Sequence, residues 1–297
     1  MRRRLPWRFD AELTENTALK HLIALASVAA AATLAIAAPA HAGAPRDIVA
    51  RSADGSSVRV DHSAWDKLLK AHVKPGNDGL NRVDYASFKK LGQEALKTYL
   101  LTLVRVDPAR LDRKEQFAYL ANLYNAKTID IVLDHYPVRS IKDISLGGGL
   151  FAAFTGGPWK AKVVSVAGVS LSLDDIEHDI LRKVFKDPRV HYAVNCASIG
   201  CPNLQAEAFT AGRLDAQLDA AARAYVNHPR GVAVRGNTLV VSSIYDWFKA
   251  DFGGSDVGVL RHLQAYAEPA LAAKIKSIGA ISNHDYDWRL NDIGSGS

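Results

Sequence analysis

The sequence predicts an α+β fold, a predominantly helical single domain with a small, mostly antiparallel sheet. Apolar residues recur at helical spacing over several segments between Ser63 and Ile278. Short alternating segments also meet at Ala167-Gly168 and at Gly236-Asn237, and these pairs favour the tight turns of β-hairpins. Because no internal repeat and no further linker divides the chain, these elements are expected to share one core.

The composition narrows the possible classes of protein. The chain has 297 residues, of which 48% are hydrophobic and 23% charged, as in ordinary folded domains. A wholly disordered, collagenous or coiled-coil chain is therefore excluded. The formal net charge is +6, but no segment concentrates it, so nucleic-acid binding is not predicted. Two cysteines are too few for a disulfide scaffold or a four-cysteine zinc site, and no cofactor is predicted.

The first part of the chain resembles an export signal. The segment from Leu22 to Ala40 is almost entirely apolar, Lys20 precedes it, and an Ala-His-Ala sequence closes it. A basic flank, an apolar core and a small-residue ending are typical of a secretory signal peptide, here cleaved between Ala42 and Gly43. The alternative is a membrane anchor, since about 20 apolar residues can span a bilayer. Cleavage predicts a periplasmic or secreted protein that keeps no stable membrane span.

The first half of the predicted domain is helical. Residues 43–62 are interpreted as a linker or N-terminal extension, and the domain itself is expected to span 63–297. A helix begins near Ser63, and residues 84–104 also follow a helical pattern. The strongest helix is predicted for residues 113–135, because its apolar residues recur regularly and Pro137 follows its end.

The second half mixes strands and helices. Residues 144–159 are rich in glycine, but they lack G-x-x-x-x-G-K-[ST], so a turn or flexible lid is preferred over a phosphate-binding loop. A hairpin is expected around Ala167-Gly168 and a second one over residues 232–241. Between the hairpins, the pattern predicts a helix over 172–185, a short strand over 189–195 and a helix over 210–227.

Residues able to carry chemistry are concentrated between Ser172 and Pro202. The alternation of a strand would place His191 and Asn195 on one face. A helix packed on that strand could bring its own polar residues towards His191. The candidate catalytic residues are Glu177, His178, His191, Asn195 and Cys196.

Five ordered motifs resemble those of the domain of unknown function DUF547, which occurs in secreted bacterial proteins and in plant and animal proteins. The resemblance extends over roughly residues 80–292 and implies no particular reaction. The motifs are NLYN (Asn122 to Asn125), LSLDDIEHDILR (Leu171 to Arg182), DPRVHYAVNCASIGCP (Asp187 to Pro202), WFKADFG (Trp247 to Gly253) and YDWRLN (Tyr286 to Asn291).

Four interpretations of Cys196 and Cys201 remain open. A disulfide is favoured by the even count, the oxidising compartment and a separation of five residues across a turn. A cysteine nucleophile would use His191 or His178 as base, with Asn195 or Glu177 as orienting group. A metal site would use His191, Cys196 and Cys201, although zinc spacings are usually tighter. Thiol redox exchange is disfavoured, because the C-x-x-C spacing is absent.

These residues leave more than one function possible. As an enzyme, the protein would be a hydrolase or acyl-transfer enzyme, with His191 as base and Glu177 as its orienting group. As a non-enzyme, it would be a binding or interaction module of the cell envelope. Asn122, Asn125 and Asp287 are expected to be structural, because buried amides need hydrogen-bond partners and Asp287 can cap a turn. The aromatic residues of WFKADFG are expected to pack in the core.

Overall fold

The computed structural model describes residues 43–146 and 157–296, which form a predominantly helical domain. The helices predicted from Ser63 and from residue 113 begin at those residues. The helices are α1 (Ser63–His72), α2 (Tyr85–Leu91), α3 (Gln93–Leu103), α4 (Arg113–His135), a π-helix with i→i+5 hydrogen bonds (Asp175–Phe185), α5 (Val190–Ala193), α6 (Leu214–Val226), α7 (Ile244–Trp247), α8 (Asp256–Tyr266) and α9 (Pro269–Ile278).

Short strands form small sheets between these helices. β1 (Val73–Pro75) pairs with β2 (Asn81–Val83), and β3 (Val164–Val166) pairs with β4 (Val169–Leu171), both in antiparallel register. β5 (Val232–Arg235) pairs antiparallel with β6 (Thr238–Ser242), and β7 (Asn283–Asp285) adds to β6 in parallel. The two predicted hairpins are β3–β4 and β5–β6. The α+β class with a small, mostly antiparallel sheet is therefore confirmed.

The long helix α4 lies at the centre of the domain. Asp112 caps it by accepting a hydrogen bond from the Glu115 backbone N–H at 2.8 Å. Most of its side chains between Glu115 and Leu133 are buried, so it is enclosed on all sides rather than amphipathic. The apolar residues of α1, α2, α3 and the π-helix pack around it in the larger of the two apolar clusters.

A second apolar cluster is built on the three-stranded sheet. It joins β5 and β6 to α6, α8 and α9, and it contains the buried rings of Tyr192, Tyr225 and Tyr245. Tyr192 accepts or donates hydrogen bonds with Tyr245 Oη at 3.1 Å and His262 Nε2 at 2.7 Å. These bonds satisfy polar groups that burial would otherwise leave unpaired.

The predicted strand over residues 189–195 is wrong, because Val190–Ala193 forms the helical turn α5. Asp187 accepts a hydrogen bond from the Arg189 backbone N–H at 2.9 Å, and Pro188 suits the first turn of a helix. Asn125 then holds the end of the turn, because its side chain bonds both Ala193 O and Asn195 N at 2.8 Å. Local capping and this tertiary clamp override the alternating pattern.

Two further boundaries differ from the prediction. The helix expected over 84–104 is divided at Gly92, where an added Cβ would lie 2.8 Å from the Phe88 ring and 2.9 Å from His72. The stretch interpreted as a linker, 43–62, also packs on the domain. Its 3₁₀-helix Pro45–Val49 buries Ile48 and Val49, so this part is an ordered extension of the fold.

Some predicted segments lie outside the described residues. The proposed signal peptide (1–42) and most of the glycine-rich segment (147–156) belong to this group. Residues 43–146 and 157–296 belong to one compact unit. In the described part of that unit, no helix combines the length and the hydropathy that crossing a membrane requires.

Candidate functional site

A cavity of about 230 Å³ contains most of the predicted site residues. One side, called here the polar wall, is formed by Asp174, Glu177, His178 and His191. The aromatic part of the lining, called the aromatic wall, is formed by Trp159, Trp247, Tyr286 and Trp288. The Cys196–Cys201 loop, Pro202, Tyr124, Val194, Ile244 and Phe248 complete the lining.

The start of the π-helix positions the carboxylates of the polar wall. Ser172 and Asp175 cap each other, with Ser172 N to Asp175 Oδ2 at 2.6 Å and Asp175 N to Ser172 Oγ at 3.0 Å. This reciprocal cap fixes the first turn, so that Asp174, Glu177 and His178 face the cavity together. His178 lies between the two carboxylates, 3.7 Å from an oxygen of each.

His191 is held by a partner that the sequence analysis missed. Its Nε2 lies 2.7 Å from Asp251 Oδ2, whereas its Nδ1 lies 4.0 Å from Glu177 Oε1. Its ring stacks on Phe248 at a centroid distance of 4.4 Å. Asp251 also pairs with the Arg182 guanidinium. The residue that orients His191 is therefore Asp251, and the assignment of this role to Glu177 is corrected.

The electrostatics of this group follow from burial and pairing. Burial lowers the pKa of His191 below 6.5, while Asp251 and Glu177 act in the opposite direction. Burial works to raise the pKa of Asp251, but hydrogen bonds from His191 and Arg182 lower it to about 2. At neutral pH, an ionised Asp251 can only accept, so the Nε2 of a neutral His191 carries the proton. The lone pair of His191 is then on Nδ1, on the side of Glu177.

Burial also affects the neighbours of this pair. It raises the pKa of Asp174, a shift that His178 opposes and Glu177 reinforces. The pKa of the buried Tyr124 is raised by burial and then by the nearby Glu177 carboxylate. Tyr124 therefore stays protonated and can donate a hydrogen bond at the base of the cavity.

Asn195 is close to the site in sequence but does not line the cavity. Its amide donates to Pro202 O at 2.7 Å, and its Oδ1 accepts from the Ala197 N–H at 2.9 Å. Asn122 makes an equivalent clamp, with Nδ2 to Phe209 O at 2.8 Å and Phe209 N to Oδ1 at 3.0 Å. These amides brace the loops that carry the site and leave the chemistry to other residues.

The disulfide between Cys196 and Cys201 is confirmed, with Cα atoms 6.2 Å apart. The Cys196 N–H donates to Cys201 Sγ at 2.9 Å, and the Tyr286 hydroxyl lies 3.2 Å from each sulfur. The bonded sulfurs are not available as a resting nucleophile or as thiolate ligands. Across the described ranges, no group of three or more His, Cys, Asp and Glu side chains could hold a metal ion, so the metal interpretation loses support.

The aromatic wall comes from three distant segments, and Trp159 precedes β3. Trp247 ends α7, while Tyr286 and Trp288 follow β7. The indole rings of Trp247 and Trp288 are nearly parallel at 5.7 Å, and each lies within 5 Å of the Tyr286 ring. Asp287, which lies between Tyr286 and Trp288 in the sequence, accepts a hydrogen bond from the Arg289 N–H at 2.9 Å and closes the turn. Trp247 belongs to WFKADFG, so this segment contributes to the cavity as well as to the core.

The fold and site define an α+β domain with one histidine–carboxylate pair beside an aromatic cavity. A family model described as "Protein of unknown function, DUF547" matches residues 108–226. This match confirms the predicted resemblance to the DUF547 family over that segment. The segment carries α4, the π-helix and the disulfide loop, whereas Asp251 and most of the aromatic wall lie beyond it. Comparisons with curated proteins and with solved structures found no match.

Proposed function

We propose that this protein is an exported hydrolase that cleaves an ester or amide bond by general acid–base catalysis. The observation that carries the proposal is the His191–Asp251 pair at 2.7 Å. It leaves a basic nitrogen, Nδ1, beside a cavity large enough for a small substrate. A base positioned in this way by a carboxylate is the common element of many hydrolytic sites.

The chemistry needs only one histidine. His191 Nδ1 takes a proton from water as the water oxygen attacks the carbonyl carbon. When the tetrahedral intermediate collapses, the carbon–oxygen or carbon–nitrogen bond breaks, and the same proton passes to the leaving group. Between these steps His191 is cationic, and Asp251 and Glu177 on opposite sides of the ring stabilise that charge.

The test is a screen of residues 43–297 against chromogenic esters and amides, followed by kinetics of His191→Gln. We expect kcat to fall by about 10²–10⁴-fold, the usual contribution of a general acid–base group. His135→Gln is the matched control, because His135 is exposed at the end of α4 and bonds only its own helix. Because burial lowers the pKa of His191, the acid limb of the rate profile should lie below pH 6.5.

Failure of this screen has a defined meaning. If no substrate is cleaved while small molecules bind in the cavity, the hydrolase proposal is overturned in favour of a binding module of the cell envelope. The aromatic lining is the observation that favours that second candidate. A rate unchanged in His191→Gln would also remove His191 from the mechanism.

Export is tested separately. We expect expression of the full chain in a bacterium with an outer membrane to give a periplasmic protein whose first residue is Gly43. Intact mass and N-terminal sequencing measure the cleavage site. A full-length protein retained in the membrane fraction would favour the anchor instead.

A further inference from the structure

We propose that the cavity binds a small organic cation, an ammonium or quaternary ammonium group, between the aromatic wall and the carboxylates of Asp174 and Glu177. For an enzyme, this names the substrate class of the site, and in that sense it rests on the proposed hydrolase function. The binding inference itself has independent support in the charge, the rings and the size of the cavity.

The charge of the lining has one sign. Asp174 and Glu177 line the cavity, and no Lys or Arg is found among the described residues that line it. His191 is kept neutral by burial. The nearest guanidinium, that of Arg182, is already paired with Asp251. Two lysines lie beyond the lining, Lys142 over the Trp288 ring and Lys160 close enough to lower the pKa of Asp174. A phosphate or carboxylate ligand would meet the like charge of the two carboxylates first, whereas a cation would be attracted by both.

The aromatic wall supplies the second element of cation recognition. Indole faces attract a cation that lies within about 6 Å, and an aromatic lining is the usual way to bind a quaternary ammonium group. Rings at this cavity already do this within the protein. Lys142 Nζ lies 5.0 Å from the Trp288 ring, and the Arg182 guanidinium lies 4.5 Å from the Phe248 ring. Tyr286 completes the wall with Trp247, which is 47% exposed and therefore accessible.

The size of the cavity limits the ligand. A volume of about 230 Å³ admits a small organic molecule. A trimethylammonium group with a short chain suits a space of this size. A short chain would also bring a carbonyl group attached to it within reach of His191 on the same polar wall.

The experiment compares choline with 3,3-dimethyl-1-butanol, which has the same shape but carbon in place of the charged nitrogen. Binding to residues 43–297 is measured by calorimetry and by tryptophan fluorescence at matched ionic strength. We expect choline to bind at least about fivefold more tightly, within the range of cation–π and charge contributions. Equal or tighter binding of the neutral alcohol would overturn the inference, as would exclusive binding of an acetate or phosphate probe.

Two variants locate the binding. Asp174→Asn should reduce the preference for choline over the alcohol, because the substitution removes one of the two carboxylate charges at nearly constant shape. Asp179→Asn is its matched control, since Asp179 lies on the same helix and pairs with Lys183. Trp247→Leu should weaken choline binding by about 2- to 30-fold. Melting temperatures verify that each variant is folded. A preference that is undiminished in both cavity variants would place the cation elsewhere and overturn the inference.

The outcomes separate this inference from the hydrolase proposal. Choline binding is measured without turnover. If choline binds but acetylcholine and 3,3-dimethylbutyl acetate are both stable, the hydrolase proposal fails and the cation site stands. If both esters are cleaved at the same rate and choline shows no preference, the hydrolase proposal stands and the cation site fails.

Discussion

The two walls of the cavity are built in different ways. Each member of the polar wall has charged or hydrogen-bonding neighbours at short range, and His191 is almost completely buried. The aromatic wall is held mainly by ring contacts, and Trp247 is half-exposed. The difference reflects the cost of desolvation, because a buried charge must be paired, whereas an indole ring can face water at little cost.

This comparison predicts different consequences of mutation. Changes behind the polar wall should reduce stability and chemistry together, because they leave charged groups unpaired. Changes in the aromatic wall should reduce binding and leave stability almost unchanged.

Asp251→Ala should have the largest effect on stability. It leaves Arg182 and His191 without their shared partner, and we expect the free energy of unfolding to fall by about 3 kcal/mol. Chemical denaturation measures this loss. Asp246→Ala is the control, because Asp246 is exposed, belongs to the same segment and pairs only with Lys249. Equal losses of unfolding free energy in the two variants would show that pairing with Asp251 does not stabilise the polar wall.

Removal of the disulfide tests the connection between the walls. The bond closes a loop that begins just after His191 and contacts Tyr286 of the aromatic wall. Loop closure over so short a span predicts a loss of about 2 kcal/mol in Cys196→Ser/Cys201→Ser. Denaturation of the variant and of the oxidised protein measures it. Alkylation without reductant should leave the mass of the native protein unchanged, and two added groups would contradict the bond.

Acid titration should show how the buried His262, which lies outside the cavity, affects the stability of the protein. Burial lowers the pKa of His262 to about 4, so the folded protein resists protonation that the unfolded chain accepts near pH 6.5. Stability should therefore decrease as the pH falls from 6.5 to about 4, and the loss should then level off. His262→Gln should recover about 1–2 kcal/mol at pH 4, measured by denaturation. An unchanged pH slope would mean that His262 does not titrate in this range.

Trp247→Leu should have the smallest effect on stability. Because the indole is half-exposed, we expect the free energy of unfolding to change by about 0.5 kcal/mol or less. Its choline affinity should still fall. A large loss of stability would show that the aromatic wall is structural and would remove the contrast between the two walls.

The sequence was sufficient to predict an element or a bond where a strong local signal marks it. The pattern and caps of residues 113–135 predict α4 to the residue, and Ala167-Gly168 and Gly236-Asn237 predict the two hairpins. The close spacing of Cys196 and Cys201 likewise made their disulfide the favoured interpretation. In each of these cases the deciding atoms lie within a few residues of one another, so that backbone geometry alone restricts the outcome.

Only the tertiary structure decided how the site is assembled. The strand predicted around His191 became a helical turn because Asn125, from a distant helix, bonds its end. Asp251 bonds His191 although 60 residues separate them in the sequence. Trp247 likewise packs on Trp288, which belongs to a distant segment. Local patterns contain no information on such pairs, since packing of the two apolar clusters brings them together. The sequence by itself determined the elements and the candidate residues, and the fold decided which of them face one another.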